Sequence, residues 1–515
     1  MIQSQSFHLL EDLNLSDPSL LCGLESSEGI DSLSAVEGSF SVIDPCTGKE
    51  GAIIIPSSPA QIDHAIRAAS ATFPSFSSLP SKVRAQKIAA FDALLRSNLE
   101  DIAKIIAWET GKPMSEARGE VEYAASFSWW SVGEAERVHG QTIRGTANPN
   151  LRFITIKQPI GPVALLTPWN FPVALFVRKA ATALAAGCTV VAKPSPETPL
   201  STLAVSLLFS RAGFPDGTVN IVFASNETTP SVGQRICSDP RIKKVSFTGS
   251  TRIGRVLMSQ CSESLKKLTL ELGGLGAFLV FEKADLKKAA EGLISNKFRH
   301  AGQTCIAAQR VFVHSSVLPN FLSHLEPLVA KIRMGLPHDP ETNLGPLTTS
   351  RSVLKAQSHV SDAIEKGAKL HFQGSIPSHL QVWKQEGGKG GYWFPPTILI
   401  GCQEGMLVFQ EESFAPILCI STFETEEEAL DRANSTSMGL TNYVFSQDVD
   451  QVWRAYEKLR SGNVGINTGI TTSAEAPFGG IDQSGFGKEA GIGAGISEYL
   501  FEKTATMTVS PLASA

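Results

Sequence analysis

The chain has 515 residues, 42% of them hydrophobic and 18% charged, which describes a well-buried globular protein too long for one ordinary core, so two or three domains are expected. A net charge of −5, with no Lys/Arg cluster interleaved with aromatics among its 45 basic residues, argues against a nucleic-acid or anionic-membrane partner. Eight scattered cysteines (22, 46, 188, 237, 261, 305, 402 and 419) make no Cys-x-x-Cys pair and no His/Cys group at metal spacing, which excludes a disulfide framework and a zinc site.

Residues 1 to about 40 are Ser/Leu/acidic without sustained periodicity and predict an extended arm. No Lys or Arg precedes Lys49, whereas Glu11, Asp12, Asp17, Glu25, Glu28 and Asp31 do, an acidic start unlike a mitochondrial presequence. The ending Leu512-Ala513-Ser514-Ala515 is not a peroxisomal tripeptide, and no apolar run is long enough to cross a bilayer, so a cytoplasmic location is expected. From Asp44-Pro45 onward the pattern is orderly. Ser81 is placed to cap a helix through Val83, Ile88, Phe91, Leu95, Ile102 and Ile105, with Gly111 and Pro113 as its stop.

Between Ile160 and Gly274 the chain alternates. Strands are predicted at 163–167, 188–192, 219–223 and 245–248, with helices at 174–186, 201–212 and 252–260. Apolar strands alternating with helices imply a parallel sheet covered on both faces, with ligands beyond the carboxyl ends of its strands. The second half repeats this α/β texture, with strands at 277–281, 306–313 and 443–445 and a helix at 321–331, before Gly-rich loops around Phe478-Gly479-Gly480 and Ser484-Gly485-Phe486-Gly487.

Several motifs fall at the predicted strand ends. Ala301-Gly302-Gln303-Thr304-Cys305 lies 34 positions after Glu271, which opens Glu271-Leu272-Gly273-Gly274. A thiolate that forms a covalent adduct and a carboxylate that activates water to release it make a two-step chemistry, although a single cysteine is more often a small buried hydrophobe. In Thr167-Pro168-Trp169-Asn170-Phe171-Pro172, two prolines fix a turn that would hold the Asn170 amide as an oxyanion donor. Lys193-Pro194-Ser195-Pro196-Glu197 puts a point charge where ribose hydroxyls or a phosphate could lie. Phe247-Thr248-Gly249-Ser250-Thr251-Arg252-Ile253-Gly254 runs strand, turn, helix, a setting for a pyrophosphate, but it is not a G-x-G-x-x-G. Glu411-Glu412-Ser413-Phe414-Ala415-Pro416 offers a carboxylate beside an aromatic.

In this order and spacing, from about residue 40 to about 510, the set resembles the aldehyde dehydrogenase superfamily. The resemblance implies an α/β fold with a Rossmann-type cofactor domain (41–140 and 161–273), an α/β catalytic domain (274–478) and a small β oligomerisation element (141–160 and 497–511), after an N-terminal arm (1–40). It implies Cys305 as nucleophile, Glu271 as general base and Asn170 as oxyanion donor. It further implies a cofactor site of Thr167, Trp169, Lys193, Ser195, Gly249, Ser250, Gly254, Glu412 and Phe414, and no metal. The implied mechanism is attack of Cys305 on an aldehyde, hydride transfer to NAD or NADP, and hydrolysis of the thioester by water that Glu271 activates.

Within the superfamily the chain is most similar to the succinate-semialdehyde dehydrogenases, through Glu109-Thr110-Gly111-Lys112-Pro113, Glu116-Ala117-Arg118-Gly119-Glu120-Val121 and Trp129-Trp130. That similarity implies Arg178, Arg299 and Ser473 as contacts for a substrate with a distal carboxylate. Either arginine could instead pair with a carboxylate at a domain interface. The chain also departs from that group. Ala307 stands where several members carry a second cysteine, so no redox-gating disulfide is expected; Ala277 replaces a Pro and Ala415 a Gly, which bears on local loop shape. Pro196 stands where NAD-specific relatives often carry a Glu, with Glu197 one place on, which leans the cofactor toward NADP.

The strands at 141–160 and 499–509 resemble oligomerisation strands and imply a homodimer or homotetramer. The competing readings are an aldehyde dehydrogenase for an aromatic or medium-chain aldehyde, a CoA-acylating relative, and a catalytically silent homologue. The intact Cys305, Glu271 and Asn170 set disfavours the last of these.

Overall fold

The alternating apolar runs become two mostly parallel sheets in the computed structural model, which describes residues 5–7, 13–21, 24–26, 38–382, 384 and 389–510. The first sheet has the order Gly485–Phe486, Lys267–Glu271, Lys244–Thr248, Val163–Leu166, Val190–Lys193, Val219–Ile221, and only the short Gly485–Phe486 strand runs antiparallel. Alternate residues explain its burial on both faces. Val163, Leu165, Val190 and Ala192 enter one apolar core, while Ala164, Leu166, Val191 and Val245 enter another. The chain leaves Val163–Leu166 toward one edge and returns on its other side as Lys244–Thr248, which opens a crevice at their carboxyl ends.

The second sheet has seven strands in the order Lys369–Gln373, Thr397–Ile400, Ile417–Phe423, Arg310–His314, Ala277–Val280, Thr441–Phe445, Asn463–Ile466. Its apolar strands form a third core. A separate antiparallel sheet pairs Thr142–Arg144, Leu151–Pro159 and Leu500–Thr508, in register from Leu500 opposite Pro159 to Thr508 opposite Leu151. It is largely solvent-facing, with Ile143, Ile154, Ile156, Phe501 and Met507 exposed.

Three local expectations are corrected. The helix predicted from Ser81 divides at Asn98 into Ser81–Ser97 and Leu99–Thr110, and Ser81 is its first helical residue, with no side-chain cap. The strand predicted at 306–313 is Arg310–His314, because residues 304–307 turn, with the Ala307 N–H on the Thr304 carbonyl at 3.0 Å. The N-terminal arm is in part docked. Gln5–Phe7 pairs with Leu24–Ser26 and joins Lys49–Ile54 at Phe7 opposite Ala52, while Asp17 pairs with Arg211 at 2.5 Å. Residues 1–4, 8–12, 22–23 and 27–37 of the arm, and residues 511–515, lie outside the described residues.

Candidate active site

Strand pairing brings the motifs together. Leu166 is opposite Lys193, Phe247 is opposite Leu166, and Thr248 is opposite Glu271, so the segments that follow these strands leave the sheet at one level. The Asn170 turn is held from beneath by an ion pair that the sequence motifs did not disclose. Fully buried Lys112 pairs with fully buried Glu120 and donates from Nζ to the Asn170 carbonyl oxygen at 2.6 Å. Oε1 of Glu120 accepts the N–H groups of Val173 and Ala174 at 2.9 and 3.2 Å. These are orphan donors at the start of the helix Pro172–Ala186, whose own N-cap residue, Phe171, supplies no acceptor. Lys112 and Glu120 therefore clamp the turn and start the helix at once.

The cysteine loop is shaped by three successive left-handed residues, His300 (φ 49°), Ala301 (φ 50°) and Gly302 (φ 76°). The His300 N–H is fixed on Oε2 of Glu116 at 2.9 Å. A Cβ on Gly302 would lie 2.3 Å from the Ala415 carbonyl oxygen, so only glycine lets the Phe414-Ala415 turn approach this closely. Gln303 then joins the two halves. Its carbonyl accepts from Nδ2 of Asn170 at 2.8 Å, and its own Oε1 accepts the Thr348 N–H at 2.9 Å.

One cavity gathers Cys305, Glu271, Asn170, Arg178 and Arg299 with Trp169, Gly249, Ser250, Glu412 and Phe414. Trp169 and Phe414 meet edge to face at 5.6 Å. Five of the predicted site residues do not line it. Thr167 and Lys193 are buried at strand ends behind it, Ser195 bonds Glu197, and Gly254 packs its helix on Leu272, where a Cβ would approach to 2.7 Å. Ser473 is exposed and donates to Glu475, while its neighbour Thr472 forms part of the wall.

The electrostatics are those of a dry site. Burial pushes the Glu271 carboxyl up to about 8, reinforced by Glu489 and opposed by Arg178 and Lys179. Burial likewise pushes the Cys305 thiol up to about 12, with Glu412 and Glu271 adding to the rise and Arg178 opposing it. Glu412 is raised to about 7 by burial, against the Gly274 N–H that bonds it at 3.4 Å. Arg178 is not free. Its guanidinium pairs with buried Glu489 at 2.6 Å, and Lys179 pairs with the same carboxylate, which together hold that carboxyl low despite its burial. The pairing with a carboxylate weighed for an arginine is therefore seen at Arg178. Arg299 differs: none of the described ion pairs includes it, and its guanidinium lies over the Phe171 ring at 4.9 Å.

The crevice also fits a dinucleotide. The hydroxyl oxygens of Thr167 and Thr248 are buried without a partner at adjacent strand ends. Ser250 caps the helix Thr251–Cys261 through Oγ, and a Cβ on Gly249 would strike the Phe247 ring at 2.4 Å, so the backbone there is bare. Beyond them, Lys193 donates to the Pro194 carbonyl at 2.9 Å, and burial pulls its ammonium down to about 8 against the pull of Glu197. Glu197 accepts from Ser195 and Asn226 and pairs with Arg351 at 3.3 Å. Among the described residues, no group of three or more His, Cys, Asp or Glu could hold a metal, and no helix is long and apolar enough to cross a membrane.

Known proteins resemble this chain in sequence and fold. The sequence model of the aldehyde dehydrogenase family matches residues 33–505. The NADP(+) succinate-semialdehyde dehydrogenase of Saccharomyces cerevisiae is 42% identical over 468 residues, covering 91% of this chain and 92% of the yeast protein. The glutarate-semialdehyde dehydrogenase of Pseudomonas aeruginosa is 42% identical over 459 residues, 89% of this chain and 92% of its own. The crystal structure of succinate-semialdehyde dehydrogenase from Burkholderia pseudomallei superimposes with a TM-score of 0.89 at 40% identity, covering 96% of this chain and 100% of that one. With a family match over most of its length and relatives of this identity, the chain belongs to the aldehyde dehydrogenase family.

Proposed function

We propose that the protein oxidises succinate semialdehyde to succinate with NADP, accepting NAD less well. One observation carries the choice of substrate: among the described residues no ion pair includes Arg299, which stands on the wall of the cavity that holds Cys305. An aldehyde with a distal carboxylate would supply the missing counter-charge, and the yeast and Pseudomonas relatives act on two such semialdehydes. Cofactor choice rests on Pro196 and on Glu197, whose carboxylate is engaged by Ser195, Asn226 and Arg351. A 2′-phosphate near Lys193 would then meet less repulsion.

In this reading Cys305 attacks the aldehyde carbon. Nδ2 of Asn170 holds the oxyanion with its second N–H, the first being committed to Gln303, and the Cys305 backbone N–H assists. The turn at Gly249 and Ser250, with the N-terminus of Thr251–Cys261, would hold the cofactor pyrophosphate, while Lys193, Ser195 and Glu412 would hold the riboses. When bound, the nicotinamide supplies the hydride acceptor. Glu271, once it has lost its proton, draws a proton from water to hydrolyse the thioester and free the thiol.

The sheet of Thr142–Arg144, Leu151–Pro159 and Leu500–Thr508, with its exposed apolar residues, supports a homodimer or homotetramer. The division into a cofactor domain (41–140 and 161–273), a catalytic domain (274–478) and oligomerisation strands (141–160 and 497–511) follows the two parallel sheets and this third one. The described cysteines are all unpaired thiols, in keeping with a cytoplasmic enzyme.

An aldehyde panel assayed with both cofactors tests the reading. Succinate semialdehyde with NADP should give the highest kcat/KM, and Arg299→Leu should remove its advantage over hexanal. Equal losses on both aldehydes would favour a medium-chain or aromatic substrate, no turnover of any aldehyde would indicate a silent homologue, and a strong NAD preference would sink the cofactor assignment.

A further inference from the structure

Tyr123 and Phe127 lie one turn apart on the helix Met114–Glu136 and meet edge to face at 4.6 Å. They bridge the two arginines of the cavity. The Arg299 guanidinium lies 5.9 Å from the Tyr123 ring, and that of Arg178 lies 5.7 Å from the Phe127 ring. Tyr123 itself lines the cavity, as do both arginines. Among the described residues the phenol forms no hydrogen bond, although its ring is held from two sides.

We propose that Tyr123 is a specificity-determining residue whose hydroxyl donates a hydrogen bond to the distal carboxylate of the substrate. This rests on the carboxylate reading given above. The reason is one of charge and of lone pairs. Arg178 shares Glu489 with Lys179 and meets it at 2.6 Å, so its guanidinium is partly committed, whereas Arg299 is in none of the described ion pairs and is the more available of the two cations. A carboxylate has about four acceptor sites, more than a single guanidinium edge can fill. A phenol beside the two arginines adds a charge-assisted bond without adding charge, and its packing against Phe127 fixes where the second oxygen must lie. The distance from Cys305 to that hydroxyl then selects for chain length as well as for charge.

The test is Tyr123→Phe, which keeps the ring and its packing. A hydrogen bond to a charged group corresponds to roughly 10- to 100-fold in equilibrium or rate. The ratio of kcat/KM for succinate semialdehyde to that for hexanal should fall by about this factor, mainly through KM, and competitive inhibition by succinate should weaken in step. A ratio unchanged from wild type, while Arg299→Leu still lowers it, would overturn the role of Tyr123 alone. A wild-type enzyme with no preference for succinate semialdehyde over hexanal, or an Arg299→Leu variant that keeps the preference, would overturn the carboxylate reading and this proposal with it.

Discussion

Replacing Glu271 by Gln removes a proton that burial in the site holds in place. Its carboxyl is raised from 4.5 to about 8, chiefly by burial. At ~1.4 kcal/mol per pH unit, ionising it inside the fold is disfavoured by about 5 kcal/mol, an upper figure because Arg178 and Lys179 can shift toward the new charge. An unfolded chain loses this proton near 4.5, whereas the folded chain keeps it to about 8. Between those values the unfolded state binds fewer protons, so this group makes stability fall as pH rises, and the effect levels off above about 8. Gln carries no such proton. Relative to wild type, Glu271→Gln should therefore gain ~1.4 kcal/mol per pH unit, or about 3 kcal/mol from about pH 6 to about pH 8. With ~2.1 cal/mol/K of unfolding entropy per residue, 1 kcal/mol moves Tm by about 1 °C in a chain of 515 residues. Differential scanning calorimetry of both proteins across this range should show the Tm gap widening by about 3 °C. A gap independent of pH would mean that Glu271 is already ionised in the folded protein, and would remove the argument that its proton gates water activation.

Lys112→Met should strand Glu120 as a lone buried carboxylate, lowering stability by about 3–5 kcal/mol and loosening the Asn170 turn, with kcat falling alongside. Adding Glu120→Gln should restore part of the stability in thermal melts but not the grip on the Asn170 carbonyl. If the single variant melts like wild type, the clamp contributes nothing. Gly302→Ala places a methyl 2.3 Å from the Ala415 carbonyl at a left-handed φ of 76°, so the backbone must move, at a cost of about 2–4 kcal/mol. Its Tm should drop and the rate of Cys305 alkylation by iodoacetamide should change; an unaltered alkylation rate would show that the Ala415 turn does not set the cysteine's position.

Chemistry carried by short contiguous motifs was legible in the sequence, and chemistry assembled across long separations was not. Val163–Leu166 and Lys244–Thr248 could be read because a strand buried on both faces must be apolar throughout. Cys305, Glu271 and Asn170 could be read because each stands at a turn whose glycines or prolines mark it. Asn98 escaped notice as a helix break because the apolar spacing on either side of it continues nearly in phase. Ile306 looked like the start of a strand because Ile306, Ala307 and Ala308 are as apolar as the strand that follows, although they belong to the turn around the thiol. Lys112 and Glu120 stood in motifs that carried the resemblance, without a role of their own. Only the fold shows that they meet 58 positions away beneath Asn170. The pairing of Arg178 with Glu489 was equally hidden, and it changes which arginine is free to receive an anion.

Glu489 has a consequence for how the enzyme comes into being. It stands 310 positions after Lys179 in the chain. While the protein is being made, Arg178 and Lys179 emerge with the helix Pro172–Ala186 long before the carboxylate that matches them. Without that carboxylate the helix would carry two cations into the interior, so the burial of the site's centre depends on a segment far along the chain. A chain lacking residue 489 would keep Cys305, Glu271 and Asn170 yet lack the charge that Arg178 and Lys179 share.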